Sequence, residues 1–164
     1  MVINYIQRTQ NYYHELGYPL YEWAQFPADL LAPLEKPLSS ATLALVTTAA
    51  PVAVGCGEQG PGAAYNAAAK FFDVFTAPIT PIPDLRISHI AYDRRHCEAK
   101  DPNTWLPVPA LQQAVTTGRI GQLAERLIGA PTNRSQRVTQ TEDAPAVLDA
   151  CRELAADAVL LVPT

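Results

Sequence analysis

Long apolar runs, clustered basic residues and paired cysteines are what this 164-residue chain lacks. Its longest wholly apolar stretches, such as residues 158–163, fall far short of the roughly 20 residues that cross a bilayer, which argues against a membrane-spanning helix. Residues 1–8 show no basic start followed by an apolar stretch, so the N-terminus does not read as a secretory signal. Lysine and arginine come no closer to a cluster than Arg94-Arg95, and the net charge is −4. Neutralising phosphates needs clustered cations, so a nucleic-acid partner is not expected. The three cysteines (Cys56, Cys97, Cys151) are widely spaced and odd in number, which argues against a disulfide framework and fits a cytoplasmic protein with reduced thiols. Together with His14, His89 and His96 they show no metal-ligand spacing, so no metal site is expected.

What is present is a globular composition, 48% apolar and 17% charged. A chain of this length is expected to form one domain over residues 1–164, burying about 68–70% of its extended surface. Proline is the unusual residue: fifteen are spread through the chain without a repeat, about 9% against a background of about 5%. They shorten regular elements and put much of the chain into defined loop.

Residues 2–16 read as a helix stopped by Gly17 and Pro19. Five of the seven tyrosines (Tyr5, Tyr12, Tyr13, Tyr18, Tyr21) and Trp23 fall in the first 23 residues. They either cover the core or form an aromatic face that docks on a partner subunit. Residues 24–40, with Pro27, Pro33 and Pro37, complete an N-terminal wrapping segment over 1–40. Residues 41–48 are a near-continuous apolar run of strand length, as parallel strands buried on both faces require. Further strands are expected at 72–77, 85–90 and 158–162, and helices at 109–117, 121–128 and 144–155. Asp143 is placed to cap the last helix, with Pro145 in its first turn. Its buried face takes Ala144, Val147, Leu148, Cys151, Leu154 and Ala155, which makes Cys151 a core residue. Strands alternating with helices over 41–164 imply an α/β fold with an open, mostly parallel sheet, Rossmann-like or flavodoxin-like. Ligands of such sheets bind beyond the carboxyl ends of the strands.

Two segments there carry candidate chemistry. The first strand ends in Thr47-Thr48 and leads into Gly55-Cys56-Gly57-Glu58-Gln59-Gly60-Pro61-Gly62, whose backbone N–H groups could meet an anion. The spacing matches neither the dinucleotide fingerprint nor the Walker A loop, so no cofactor is expected and a surface loop is the alternative. Cys56 is the candidate reactive thiol, although activation needs a cation and Lys70 is the nearest in sequence. The third expected strand runs into Ser88-His89-Ile90-Ala91-Tyr92-Asp93, where His89, Tyr92 and Asp93 form a candidate acid/base set. The alternative is a turn in which Asp93 caps the next segment and His89 bonds backbone.

Ala-Leu-Val-Thr-Thr (44–48), Asp-Leu-Arg-Ile-Ser-His-Ile-Ala-Tyr-Asp (84–93), Asp-Pro-Asn (101–103), Gly-Arg-Ile-Gly (118–121) and Asp-Ala-Val-Leu-Leu-Val-Pro-Thr (157–164) together carry a resemblance. From residue 36 onward the chain resembles the selenoprotein B component family of glycine, sarcosine, betaine and D-proline reductases. It departs at Ala49-Ala50, where relatives favour glycine, and at Leu106-Pro107, where they are more aromatic. The resemblance implies reductive C–N cleavage of an amino acid or amine-type substrate and partnership with other reductase subunits or self-association. It also implies a redox-active selenocysteine or cysteine just after a strand ending like Val162-Pro163-Thr164, in a Pro-x-Cys/Sec-His-Gln sequence. On that reading the fold is incomplete at Thr164, and the next codon is a UGA read as selenocysteine. His89, Tyr92 and Asp93 would then support chemistry at the neighbouring strand end, and Thr47 and Thr48 would bind the substrate or an anion. Two other readings stay open: a non-catalytic interaction module built on the tyrosine-rich helix, and a thiol-dependent enzyme using Cys56 and Cys97.

Overall fold

Three helices among the described residues end in the same way, and two of those ends lead the chain into strands. The computed structural model describes residues 4–27, 32–51, 69–89, 92, 99–132 and 135–164. They fall into two units, Met1–Pro33 and Leu34–Thr164.

In the first unit, α1 (Tyr5–Glu15) starts at Asn4, whose side chain accepts from Gln7 N–H. It ends at Gly17, which adopts φ +83°. Tyr18 N–H bonds Tyr13 C=O and Gly17 N–H bonds His14 C=O, the paired bonds of a Schellman stop. None of the residues of α1 is buried. The returning segment lies on it through Gln10 Nε2 to Tyr21 C=O (2.9 Å) and through aromatic contacts: Trp23 touches Tyr5 and Tyr21, and Tyr21 stacks on Tyr13.

The second unit is an α/β domain whose open sheet is mostly parallel. The apolar run becomes β1 (Thr42–Thr47), the central strand. On one side it pairs in parallel with β7 (Ala158–Val162), in register from Leu43↔Ala158 to Thr47↔Val162. On the other side it pairs in parallel with β5 (Gln122–Leu123) and β6 (Arg126–Gly129) in succession. Leu43 faces Leu123 but Val46 faces Ile128, so Ala124 and Glu125 form an insertion between the two segments. β3 (Phe75–Pro78) closes that flank, antiparallel to β6. A separate two-residue ladder joins β2 (Ala50–Pro51) to β4 (Leu85–Arg86).

The alternating side chains of β1 serve two cores. Leu43 and Leu45 pack with Leu127, Trp105, Leu106, Val108, Leu111 and Ile120 beneath α2 (Val108–Thr116). Ala44 and Val46 pack with Ile128, Ala150 and Cys151 beneath α4 (Ala144–Glu153). Cys151 is thus a core residue, and burial pushes its thiol pKa up. The strand starts are clamped by Asp157: its carboxylate accepts from Thr42 N–H (2.8 Å) and pairs with Lys36 (2.8 Å), while its own N–H bonds Thr42 C=O.

Three sequence expectations need correction. Residues 121–128 are not a helix but β5, the insertion and β6. Helix propensity is a weak prior, and here the backbone groups of β1 need partners along that edge. Gly121 also runs against residues 40–41, where a Cβ would come within 2.6 Å of the Ser40 carbonyl carbon. The strand expected at 85–90 shortens to β4 and pairs with β2, outside the main sheet. Asp143 does not cap α4: its own φ and ψ, −69° and −44°, are helical, and its side chain makes no capping bond. The helical backbone begins upstream at α3 (Gln136–Val138), capped by Ser135 Oγ, and passes through a π-helical turn at Thr139–Asp143. Pro145 lacks an N–H and its ring crowds the carbonyl four residues back, which a wide turn placed there relieves.

Candidate functional site

β1, β6 and β7 are parallel, so their carboxyl ends share one edge of the sheet. Thr47, Gly129 and Val162 mark it. Just beyond, Ala130 N–H donates to Thr47 C=O (2.9 Å) and Thr48 N–H to Val162 C=O (3.3 Å).

The two threonines chosen from the sequence play different parts. Thr47 is fully buried, and its hydroxyl donates to Trp105 C=O (2.8 Å) while accepting from Ala49 N–H (3.1 Å). It holds the turn after β1. Thr48 is half-buried and meets Thr164: Thr164 N–H donates to its hydroxyl oxygen (2.8 Å), and the two hydroxyls lie 3.2 Å apart. The chain leaving β7 is therefore tied beside the chain leaving β1.

Trp105 links this edge to β4. Its indole Nε1 donates to Leu85 C=O (3.0 Å), while its own carbonyl accepts from Thr47. Trp105 is 4% exposed, so both bonds are shielded from water and hold β4 at a fixed place relative to β1. The Asp-Pro-Asn motif explains how the tryptophan is set there. Asp101 Oδ1 accepts from Asn103 N–H (2.9 Å), and Asn103 Oδ1 accepts from Ala110 N–H (3.1 Å) in the first turn of α2. The loop is thus bonded at both ends around Trp105.

Arg86 follows Leu85 in β4 and is 6% exposed. Its guanidinium grips both carboxylate oxygens of Asp84 through Nη1 and Nη2, the latter at 3.0 Å. Its Nε is buried without a hydrogen-bond partner. Ser88 is buried, and His89 and Tyr92 are half-buried. Tyr92 N–H donates to His89 C=O (3.2 Å), and the Tyr92 ring packs on the larger core. His89 and Tyr92 thus stand on one turn that continues from the β4 segment. Asp93, Cys56, Cys97 and His96 lie outside the described residues.

Neither family models, nor curated proteins, nor solved structures match this chain. Its chemistry is therefore read from its own residues.

Among the described residues no group of three His, Cys, Asp or Glu side chains could hold a metal ion. None of their helices is long and apolar enough to cross a membrane. Sequence reasoning passed over two residues of this edge. Arg86 had a visible signal, a cation set between the apolar Leu85 and Ile87 of a strand-like run. Trp105 had none, because only the folded chain brings it between residues 47 and 85.

Proposed function

We propose that this chain is part of a selenoprotein B-like reductase component that cleaves a C–N bond of an amino acid or amine-type substrate. The nucleophile is a thiolate or selenolate in the sequence that follows Thr164 in the whole protein. One observation supports this reading above the others: Thr164 is hydrogen-bonded to Thr48 at the carboxyl edge of the parallel strands. A residue following Thr164 would emerge where open α/β sheets bind their ligands. His89 and Tyr92, on the turn after β4, supply an imidazole and a phenol for proton transfer near that edge.

The test is the nucleotide sequence 3′ of codon 164. A UGA or cysteine codon within a Pro-x-Cys/Sec-His-Gln frame supports the reading. An ordinary stop with no such frame overturns it. The exposed aromatic residues of the first unit, Tyr5, Tyr12 and Tyr18 among them, favour a second role in holding another subunit or a second copy. A strictly monomeric protein that captures no reductase subunit would count against that role.

A further inference from the structure

We propose that Arg86 anchors the carboxylate of a small-molecule ligand at the carboxyl edge of the sheet, and that Asp84 occupies its guanidinium until that ligand binds. Arginine stays charged in proteins, so Arg86 is a permanent cation in a buried place. Its side chain is 7% exposed, whereas the carboxylate it grips, Asp84, is 64% exposed. Buried charges are normally met by a complete set of partners. Here the bonded donors reach one carboxylate at the surface, and the buried Nε has no partner. Such a shortfall in a folded protein calls for an explanation, and a ligand that completes the set is one.

Position and rigidity agree with a binding role. Arg86 pairs with Ala50, three residues after the end of β1. Its neighbour Leu85 is fixed through Trp105 to Thr47. A guanidinium on such a frame is pre-organised, so little order is lost when a ligand arrives. Asp84, mostly in water, can turn outward with little loss of packing.

The chemical class follows from the occupant. A planar carboxylate already sits on the guanidinium with both oxygens engaged, the bidentate geometry that arginine favours. The ligand class is therefore a small carboxylate. This deepens the proposed reductase reading and rests on it for one point, that the carboxylate belongs to an amino acid whose C–N bond is then presented to the reactive sulfur or selenium.

Calorimetric titration of the full-length protein with glycine, acetate, methylamine and inorganic phosphate tests the proposal. Glycine and acetate should bind and methylamine should not. Asp84→Asn, which removes the resident carboxylate at an exposed position, should tighten acetate at least tenfold and enlarge the rise in melting temperature that acetate causes. Arg86→Lys should weaken glycine and acetate at least tenfold. Unchanged affinity in Asp84→Asn overturns the proposal even if Arg86→Lys does not fold. Phosphate binding with the same gain in Asp84→Asn overturns the carboxylate class. Carboxylate binding in a protein with no reactive group past Thr164 refutes the reductase reading and leaves this one. Reductase activity without carboxylate binding does the reverse.

Discussion

The Schellman stops of α2 and α4 offer a paired test of how the strands are placed. α2 ends at Gly118 with φ +71°, and α4 ends at Ala155 with φ +49°. Both make the same bonds: Gly118 to Val115 and Arg119 to Ala114 in one, Ala155 to Arg152 and Ala156 to Cys151 in the other. A left-handed conformation costs a residue with a Cβ about 1–2 kcal/mol. Replacing alanine by glycine also frees the unfolded chain by about 0.4–1 kcal/mol. Ala155→Gly should therefore stabilise the domain by roughly 0.5–1 kcal/mol, the difference between those two ranges. Gly118→Ala should destabilise by a similar amount. A Cβ at Gly118 would meet nothing within 4 Å, so its cost is conformational rather than steric. Urea unfolding followed by circular dichroism, with a shared slope, measures both. Destabilisation by Ala155→Gly would refute the left-handed stop that aims the chain into β7. So would a neutral Gly118→Ala for the stop after α2.

Three further outcomes follow. Trp105→Phe leaves the buried Leu85 carbonyl without its donor and should cost about 1–3 kcal/mol in the same urea assay, a loss under 0.5 kcal/mol contradicting the link between β1 and β4. Gly129→Ala places a Cβ 2.0 Å from Cε1 of Phe75 and should cost about 1–3 kcal/mol, mostly recovered in the double variant with Phe75→Leu. If Phe75→Leu recovers nothing, the contact is not the cause. Hydrogen bonding by Lys36, then by the Thr42 N–H, holds the Asp157 carboxyl below its ordinary pKa. Its contribution is therefore present above the unfolded value of about 3.9 and is lost as pH falls through the lowered folded value. Asp157→Asn should lower the melting temperature at pH 7 and flatten its decline below about pH 4. An unchanged acid limb would contradict the clamp.

Where the sequence pattern and the packing had one cause, the elements were legible. β1 and β7 are apolar runs of strand length, and β7 fills residues 158–162 as expected, but only β1 is buried on both faces: Val159 and Leu161 of β7 are exposed. The period of α4 was legible only in part: Cys151 is buried and Val147 and Leu154 are half-buried as expected, whereas Ala144, Leu148 and Ala155 are exposed and Ala150 is buried with Cys151 against Ala44 and Val46 of β1. The misread segment, 121–128, has side chains that suit a helix, but its backbone is claimed by β1, and a pairing demand of that kind leaves no local trace. Asp143 looked like a cap because Pro145 looked like a start, while the helix begins at Ser135 and widens around the proline. At the candidate site, Thr47 and Thr48 were legible as a strand end. Their division into a buried strut and a half-buried contact with Thr164 depends on partners 58 and 116 residues away. Trp105, bonded to residues 58 and 20 positions away, belongs to the same long-range class, whereas the partner of Arg86 is its near neighbour Asp84.

The central claim is that the reactive atom follows Thr164 at the carboxyl edge of β7. Mass-spectrometric mapping of fast iodoacetamide labelling at neutral pH, on protein made from the intact gene in its native host, tests it most directly. The account predicts the rapid label on a selenocysteine or cysteine shortly after Thr164, with Cys56, Cys97 and the buried Cys151 labelled slowly. Rapid labelling confined to Cys56 or Cys97 would contradict it.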